Sequence, residues 1–207
     1  MMRTLRGSAG RVLVIAALSA ALAGCGGDDS SAGPAPSPSA ERTTGPGTYP
    51  APDRLCDLVD FTELAIAVAP LAGTPQTRET GGDPTVSSGS ECSQSLSGGR
   101  VHARAVVRCS AWKKIGKAVE MHRYGRGSAV IADSSLTDVT GLGNQAYRYV
   151  SADDKPWEVD LRLVVRESNL DCELHTQSGH PMDEQGMDIA FAAMEDTLGN
   201  LLPKLRP

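Results

Sequence analysis

His175 and His180, with Asp183 and Glu184 just beyond, are the residues of this sequence whose types come nearest to metal chemistry. Imidazoles and carboxylates together suit zinc and related ions. The H-x4-H spacing, however, does not bring both rings onto one helical face, and Ser178-Gly179 between them reads as a loop. A solvated strand-to-helix connection is the expectation, and no metal or cofactor is assigned. Nucleophilic chemistry has little local support either. A G-x-S-x-G elbow is absent from the sequence, and the serines between 87 and 97 read as loop residues. A triad assembled from distant positions stays open. Gly141-Leu-Gly143 lacks the third glycine and the strand–turn–helix setting of a phosphate loop, so these are turn glycines. The strongest polar binding candidate is cationic. Lys113, Lys114, Lys117, Arg123 and Arg126 lie close together, opposed only by Glu120, as a candidate anion-binding face. The plainer alternative is the solvated side of a helix.

Cys25 carries a different kind of chemistry. Arg3, Arg6 and Arg11 precede an apolar run from Val12 to Leu22, which is too short for a span needing about 20 residues. Leu22-Ala23-Gly24-Cys25 then closes the run with small residues and a thiol. The pattern resembles the lipobox of bacterial lipoproteins, which adds lipid anchoring to the general signal-peptide layout. That resemblance implies diacylglycerol on the Cys25 sulfur, cleavage before Cys25, and often an acylated new amino terminus. Residues 1–24 are therefore expected as a lipoprotein signal peptide. The expected location is the outer face of the cytoplasmic membrane, held by the lipid on Cys25; two or three acyl chains anchor far more firmly than one.

The whole chain of 207 residues has a formal charge of −5, and loss of residues 1–24 would remove three arginines and no acid. So acidic a chain argues against nucleic acid as a partner. Aromatics make up only 4 %, so the core must come from Val, Leu, Ile, Ala and Met. Residues 26–52 are rich in Gly, Ser, Pro, Ala and Thr and cannot bury enough apolar surface to offset their ordering entropy. Residues 25–52 are thus expected as the lipidated cysteine and a disordered tether, and 53–207 as one extracytoplasmic domain.

Within that domain, Asp60 and Glu63 have capping-box spacing ahead of a helix that Pro70 stops, and a polar loop is expected from Gly73 to Ser90. Val101 to Cys109 alternates as a half-buried strand, and Trp112 to Tyr124 takes helical spacing. Strands are expected near Ala146–Val150, Trp157–Val165 and Leu170–Thr176, joined by short polar turns as an antiparallel meander. Met187, Ala190, Phe191, Met194, Leu198 and Leu201 recur as a helical stripe, with Asp183 as its cap and Ile189 on the opposite side. The expected class is α+β: an antiparallel sheet with N-terminal, middle and C-terminal helices packed on it.

With Cys25 set aside, Cys56, Cys92, Cys109 and Cys172 remain, and an even count in an exported chain reads as two disulfides. Three pairings exist. Cys109 and Cys172 both fall on apolar strand faces, which favours Cys109–Cys172 and leaves Cys56 to pin the first helix to Cys92.

Cys56-Asp-Leu-Val-Asp-Phe-Thr-Glu-Leu64, Cys92-Ser-Gln94 and Thr140-Gly-Leu-Gly-Asn-Gln-Ala-Tyr147 resemble actinobacterial lipoproteins with the domain of unknown function numbered 3558. The family often carries an aromatic two residues after its second cysteine, where this chain has Gln94. The resemblance spans about residues 53–202 and implies a sheet-plus-helices fold similar to PsbP-like and kinase-sensor domains. It implies no established activity. The leading expectation is a non-catalytic binding module for an envelope component or protein partner. The alternatives are a carrier of an apolar or lipid ligand between sheet and helices, and an envelope hydrolase.

Overall fold

Strand alternation dominates the molecule, because its apolar residues recur at every second position of several segments. The computed structural model describes residues 42–80, 83–132, 136–151 and 157–207. The expected signal peptide, Cys25 and the greater part of the expected tether lie outside them. In chain order the elements are α1 (Thr62–Ala67), β1 (Leu71–Glu79), β2 (Ser87–Gly98), β3 (Val101–Trp112), α2 (Ile115–Ala132), β4 (Thr137–Val139), β5 (Gln145–Ser151), β6 (Val159–Glu167), β7 (Leu170–Ser178) and α3 (Glu184–Leu201). The seven strands form one sheet in the order β1-β2-β3-β7-β6-β5-β4, with every neighbouring pair antiparallel. The α+β class and both disulfides are as expected.

The sheet consists of two meanders, β1–β3 and β4–β7, joined where β3 pairs with β7. Cys109 lies directly opposite Cys172 in that register, and their disulfide clamps the seam. Cys56–Cys92 ties the 3-10 turn Leu55–Asp57 to β2. One face of the sheet carries Val107, Leu161, Leu163, Leu170 and Leu174, all fully buried beneath α1 and α3. Fully burying each such side chain is worth about 1.5–3 kcal/mol, so this layer is the main core. Met194, Leu198 and Leu201 of the expected α3 stripe are buried against it, and Ile189 points outward at 50 % exposure. Asp183 caps α3, its Oδ1 accepting from the Gly186 N–H at 2.8 Å.

Several expected boundaries move. The segment read as a loop, Gly73 to Ser90, contains most of β1 and the start of β2. β1 is an edge strand with almost every residue exposed, and β2 buries Ser90, Ser93 and Gln94, so neither shows apolar alternation. Gln94 fills its site by donating to the carbonyls of Ala72 (3.0 Å) and Ser95 (2.8 Å). α1 has six residues, with Phe61 rather than Asp60 at the N-cap. Asp60 instead accepts from both the N–H and the hydroxyl of Thr62, so Glu63 closes no capping box. Trp112 ends β3, and α2 runs on to Ala132 instead of stopping near Tyr124.

The folded unit also begins before residue 53. Pro46 bridges to Lys114, and Tyr49 is buried in the core. The last residues of the expected tether are thus docked on the domain. Gly143, in the expected turn, has φ +59°, and a Cβ there would press on Val165 Cγ1 at 2.7 Å. Among the described residues, no helix is long and apolar enough to cross a membrane.

Candidate functional site: a groove beneath the middle helix

The second face of the sheet is only partly covered. α2 carries the chain from β3 near the middle of the sheet to β4 at its far edge, and it crosses that face over β7, β6 and β5 on the way. Ala129 of α2 packs on Tyr147 and Val164 in a small apolar cluster. Beside this contact lies an open groove of about 480 Å³.

Alternation dictates what faces it. The residues next to the core-facing ones point the other way, so β3 contributes Arg108 and Ser110, β5 contributes Tyr147 and Tyr149, β6 contributes Arg162, and β7 contributes Asp171 and Glu173. α2 adds His122 and Tyr124, and the end of β3 adds Trp112. Four of the chain's eight aromatic side chains therefore line one groove. Tyr147 and Tyr149 stack with ring centres 6.1 Å apart, and His122 meets Tyr147 edge-on at 5.1 Å. Tyr124 stands 70 % exposed on the rim.

The charges in the groove are tied to one another. Arg108 bonds Glu91 at 2.7 Å, Arg162 bonds Asp160 at 2.8 Å and approaches Glu173 at 3.6 Å, and His175 meets Glu173 at 2.6 Å. Burial alone would raise the Glu173 pKa, but the His175 hydrogen bond and the charges of His175, Arg162 and Arg108 outweigh it and hold the carboxyl below its usual range. Asp171 behaves oppositely. Burial pushes its carboxyl up, and His122 only partly offsets this. The His122 Nδ1 lies 3.6 Å from Asp171 Oδ1, beyond hydrogen-bond reach but within range for charge to act. Burial also raises Tyr147 and Tyr149, so both phenols stay protonated donors. Two buried polar atoms at the groove, His122 Nδ1 and Trp112 Nε1, reach no hydrogen-bond partner among the described residues.

The residues singled out from sequence are placed as follows. Cys25 is outside the described residues, and the other four cysteines are in disulfides. The five basic residues do not share one recess. Lys113, Lys114 and Lys117 border a recess beside Gly45 and Pro46, whereas Arg123 and Arg126 border another beside β4. Lys117 pairs with Glu120, and Arg126 takes both oxygens of Asp138. His175 and His180 diverge: the first bonds Glu173, and the second contacts the Arg100 carbonyl. His102 sits 3.3 Å from the Ser97 hydroxyl on the exposed β2–β3 hairpin. No group of three metal-binding side chains is brought together among the described residues. The groove is not legible in the sequence because its residues come from five elements; the local signal is the polar half of each strand's alternation.

No protein-family model, no curated protein and no solved structure matches the chain.

Proposed function

We propose that this chain is a lipid-anchored extracytoplasmic lipoprotein whose folded unit is a non-catalytic binding module, with the groove beneath α2 as its recognition surface. In this reading Cys25 is lipidated at the outer face of the cytoplasmic membrane, and the chain is akin to the actinobacterial lipoproteins of the domain numbered 3558. The partner is an envelope component or protein. The observation that carries the reading is the crowding of aromatic side chains around one open groove in an aromatic-poor chain. A concave surface with aromatic walls and a few fixed polar groups is the usual form of a recognition site. The apolar-carrier alternative has less support, since Leu161, Leu163, Leu174, Met194 and Leu198 fill the layer between sheet and α3.

Two measurements in the host test the reading. Replacing Cys25 by Ala is expected to release the chain from the membrane fraction; retention there would contradict the anchor. A photo-crosslinking residue at Tyr124 is expected to capture a discrete envelope component, whereas the same residue at Ile189 on α3 captures none. Capture at Ile189 without capture at Tyr124 would overturn the groove as the recognition surface.

A further inference from the structure

We infer that the groove beneath α2 takes an uncharged saccharide, an assignment that rests on the reading of this domain as a binding module. Charge balance is the first argument. Arg108 and Arg162 face Asp171 and Glu173, and the ionic contacts among Arg108, Glu91, Arg162, Asp160, Glu173 and His175 hold these groups to one another. Among the residues that line the groove itself, two arginines stand against two carboxylates, so the lining has no surplus of either sign to select a charged ligand. Its donors and acceptors are nonetheless fixed in place and suit hydroxyl groups, which donate and accept at once. The recess lined by Lys113, Lys114 and Lys117 has the opposite character, and an anion would favour it over the groove.

The aromatic wall is the second argument. A sugar ring has an apolar face of C–H groups, and an aromatic ring presents a negative face that such weakly positive hydrogens approach favourably. Tyr124 on the rim and the partly exposed Tyr149 provide that surface next to the polar floor, with the buried Tyr147 stacked against Tyr149. An unpartnered indole nitrogen is the third. Buried donors and acceptors are nearly always satisfied, so an exception calls for an explanation. The buried Trp112 Nε1 has no hydrogen-bond partner among the described residues, whereas the His122 Nδ1 already faces Asp171 Oδ1 at 3.6 Å. A ligand hydroxyl can accept from the indole N–H. The groove volume of about 480 Å³ falls in the range of roughly 300–1,000 Å³ common to small-molecule sites.

The test is a titration of the full chain in detergent, following the Trp112 indole N–H by proton–nitrogen NMR. Its resonance is assigned by its loss in Trp112→Phe. The neutral probes are maltotriose, cellotriose, mannotriose and triacetylchitotriose; trigalacturonic acid and inorganic phosphate form the anionic arm. At least one neutral trisaccharide is expected to shift the indole resonance saturably at millimolar concentration. Tyr124→Ala, which removes an exposed side chain, is expected to weaken that binding about tenfold or more while leaving the remaining amide spectrum in place. The assignment is overturned by silence from every neutral probe, by a response to the anionic arm alone, or by undiminished binding in Tyr124→Ala. Crosslinking from Tyr124 in cells alongside silence from the sugars would overturn the ligand class and leave the binding-module reading standing. Failure of both would overturn both.

Discussion

The Asn169 carboxamide is buried and satisfied at both ends, and it fixes where the folded unit begins. Its Oδ1 accepts from the backbone N–H groups of Thr48 and Tyr49, both at 2.8 Å. Its Nδ2 donates to the carbonyls of Tyr49 (3.1 Å) and Trp112 (2.7 Å). Gly47 is required beside it, since a Cβ there would collide with the Asn169 side chain and lie 2.8 Å from the Trp112 carbonyl. Asn169→Ala strands several buried backbone groups at about 1–3 kcal/mol each, so a loss of about 2–4 kcal/mol in urea unfolding is expected. Limited proteolysis should then cut ahead of residue 53 in the variant while sparing the parent. Nothing in the local sequence marked this role, because an Asn in a turn is ordinary and its partners lie 57 to 121 residues away. Asp171 and Glu173 make a pH pair of opposite sign. The Asp171 pKa is raised, so its stabilising, protonated form is complete at low pH and lost as pH rises through the folded value. The Glu173 pKa is lowered, so its contribution is complete above the ordinary glutamate range and lost as pH falls through the folded value. Asp171→Asn is therefore expected to be more stable than the parent at pH 7 and to lose that advantage on acidification. Glu173→Gln should be less stable at pH 7 and converge with the parent in acid. Urea titrations at several pH values check both signs.

At the scale of elements, legibility followed apolar periodicity. β3, β6, β7 and α3 could be read because Val107 and Cys109, Leu161 and Leu163, Leu170 and Cys172, and Met194 and Leu198 recur at strand or helix spacing and are buried. β1 could not, because an edge strand exposed along nearly its whole length has no buried face to encode. β2 was hidden for a different reason. It lies inside the sheet, yet it places Ser90, Ser93 and Gln94 where apolar side chains are usual. α2 was legible as a helix but not in extent, and its place over the second face depends on the crossover from β3 to β4, which no local pattern reveals. The α3 cap, by contrast, was visible in sequence and has a measurable weight. Asp183→Ala removes the acceptor of the Gly186 N–H and is expected to cost about 1 kcal/mol, read as a lower urea midpoint with an unchanged slope.

For the whole molecule, the decisive joint is the seam between the two meanders. Each meander is built from neighbours in sequence, whereas β3 and β7 meet across a separation of 63 residues at the disulfide. Replacing Cys109 and Cys172 together by Ala is expected to cost about 2–4 kcal/mol and to lower the thermal midpoint accordingly. The fold class and the Cys109–Cys172 pairing were legible because apolar alternation placed those two sulfurs on sheltered faces, and Cys56–Cys92 followed as the remaining pair. The groove was not, since it exists only once β3, β5, β6, β7 and α2 are assembled on the face opposite that core. Tyr124, 70 % exposed on the rim of that face, is the residue that reports on the proposed recognition surface. The most direct measurement is hydroxyl-radical footprinting of Tyr124 on intact host cells and on the purified chain, with Ile189 on α3 as reference. The expected result is that Tyr124 is oxidised readily in the purified chain and protected on cells, while Ile189 reacts alike in both. Equal oxidation of Tyr124 in the two settings would contradict the groove as the working surface of this protein.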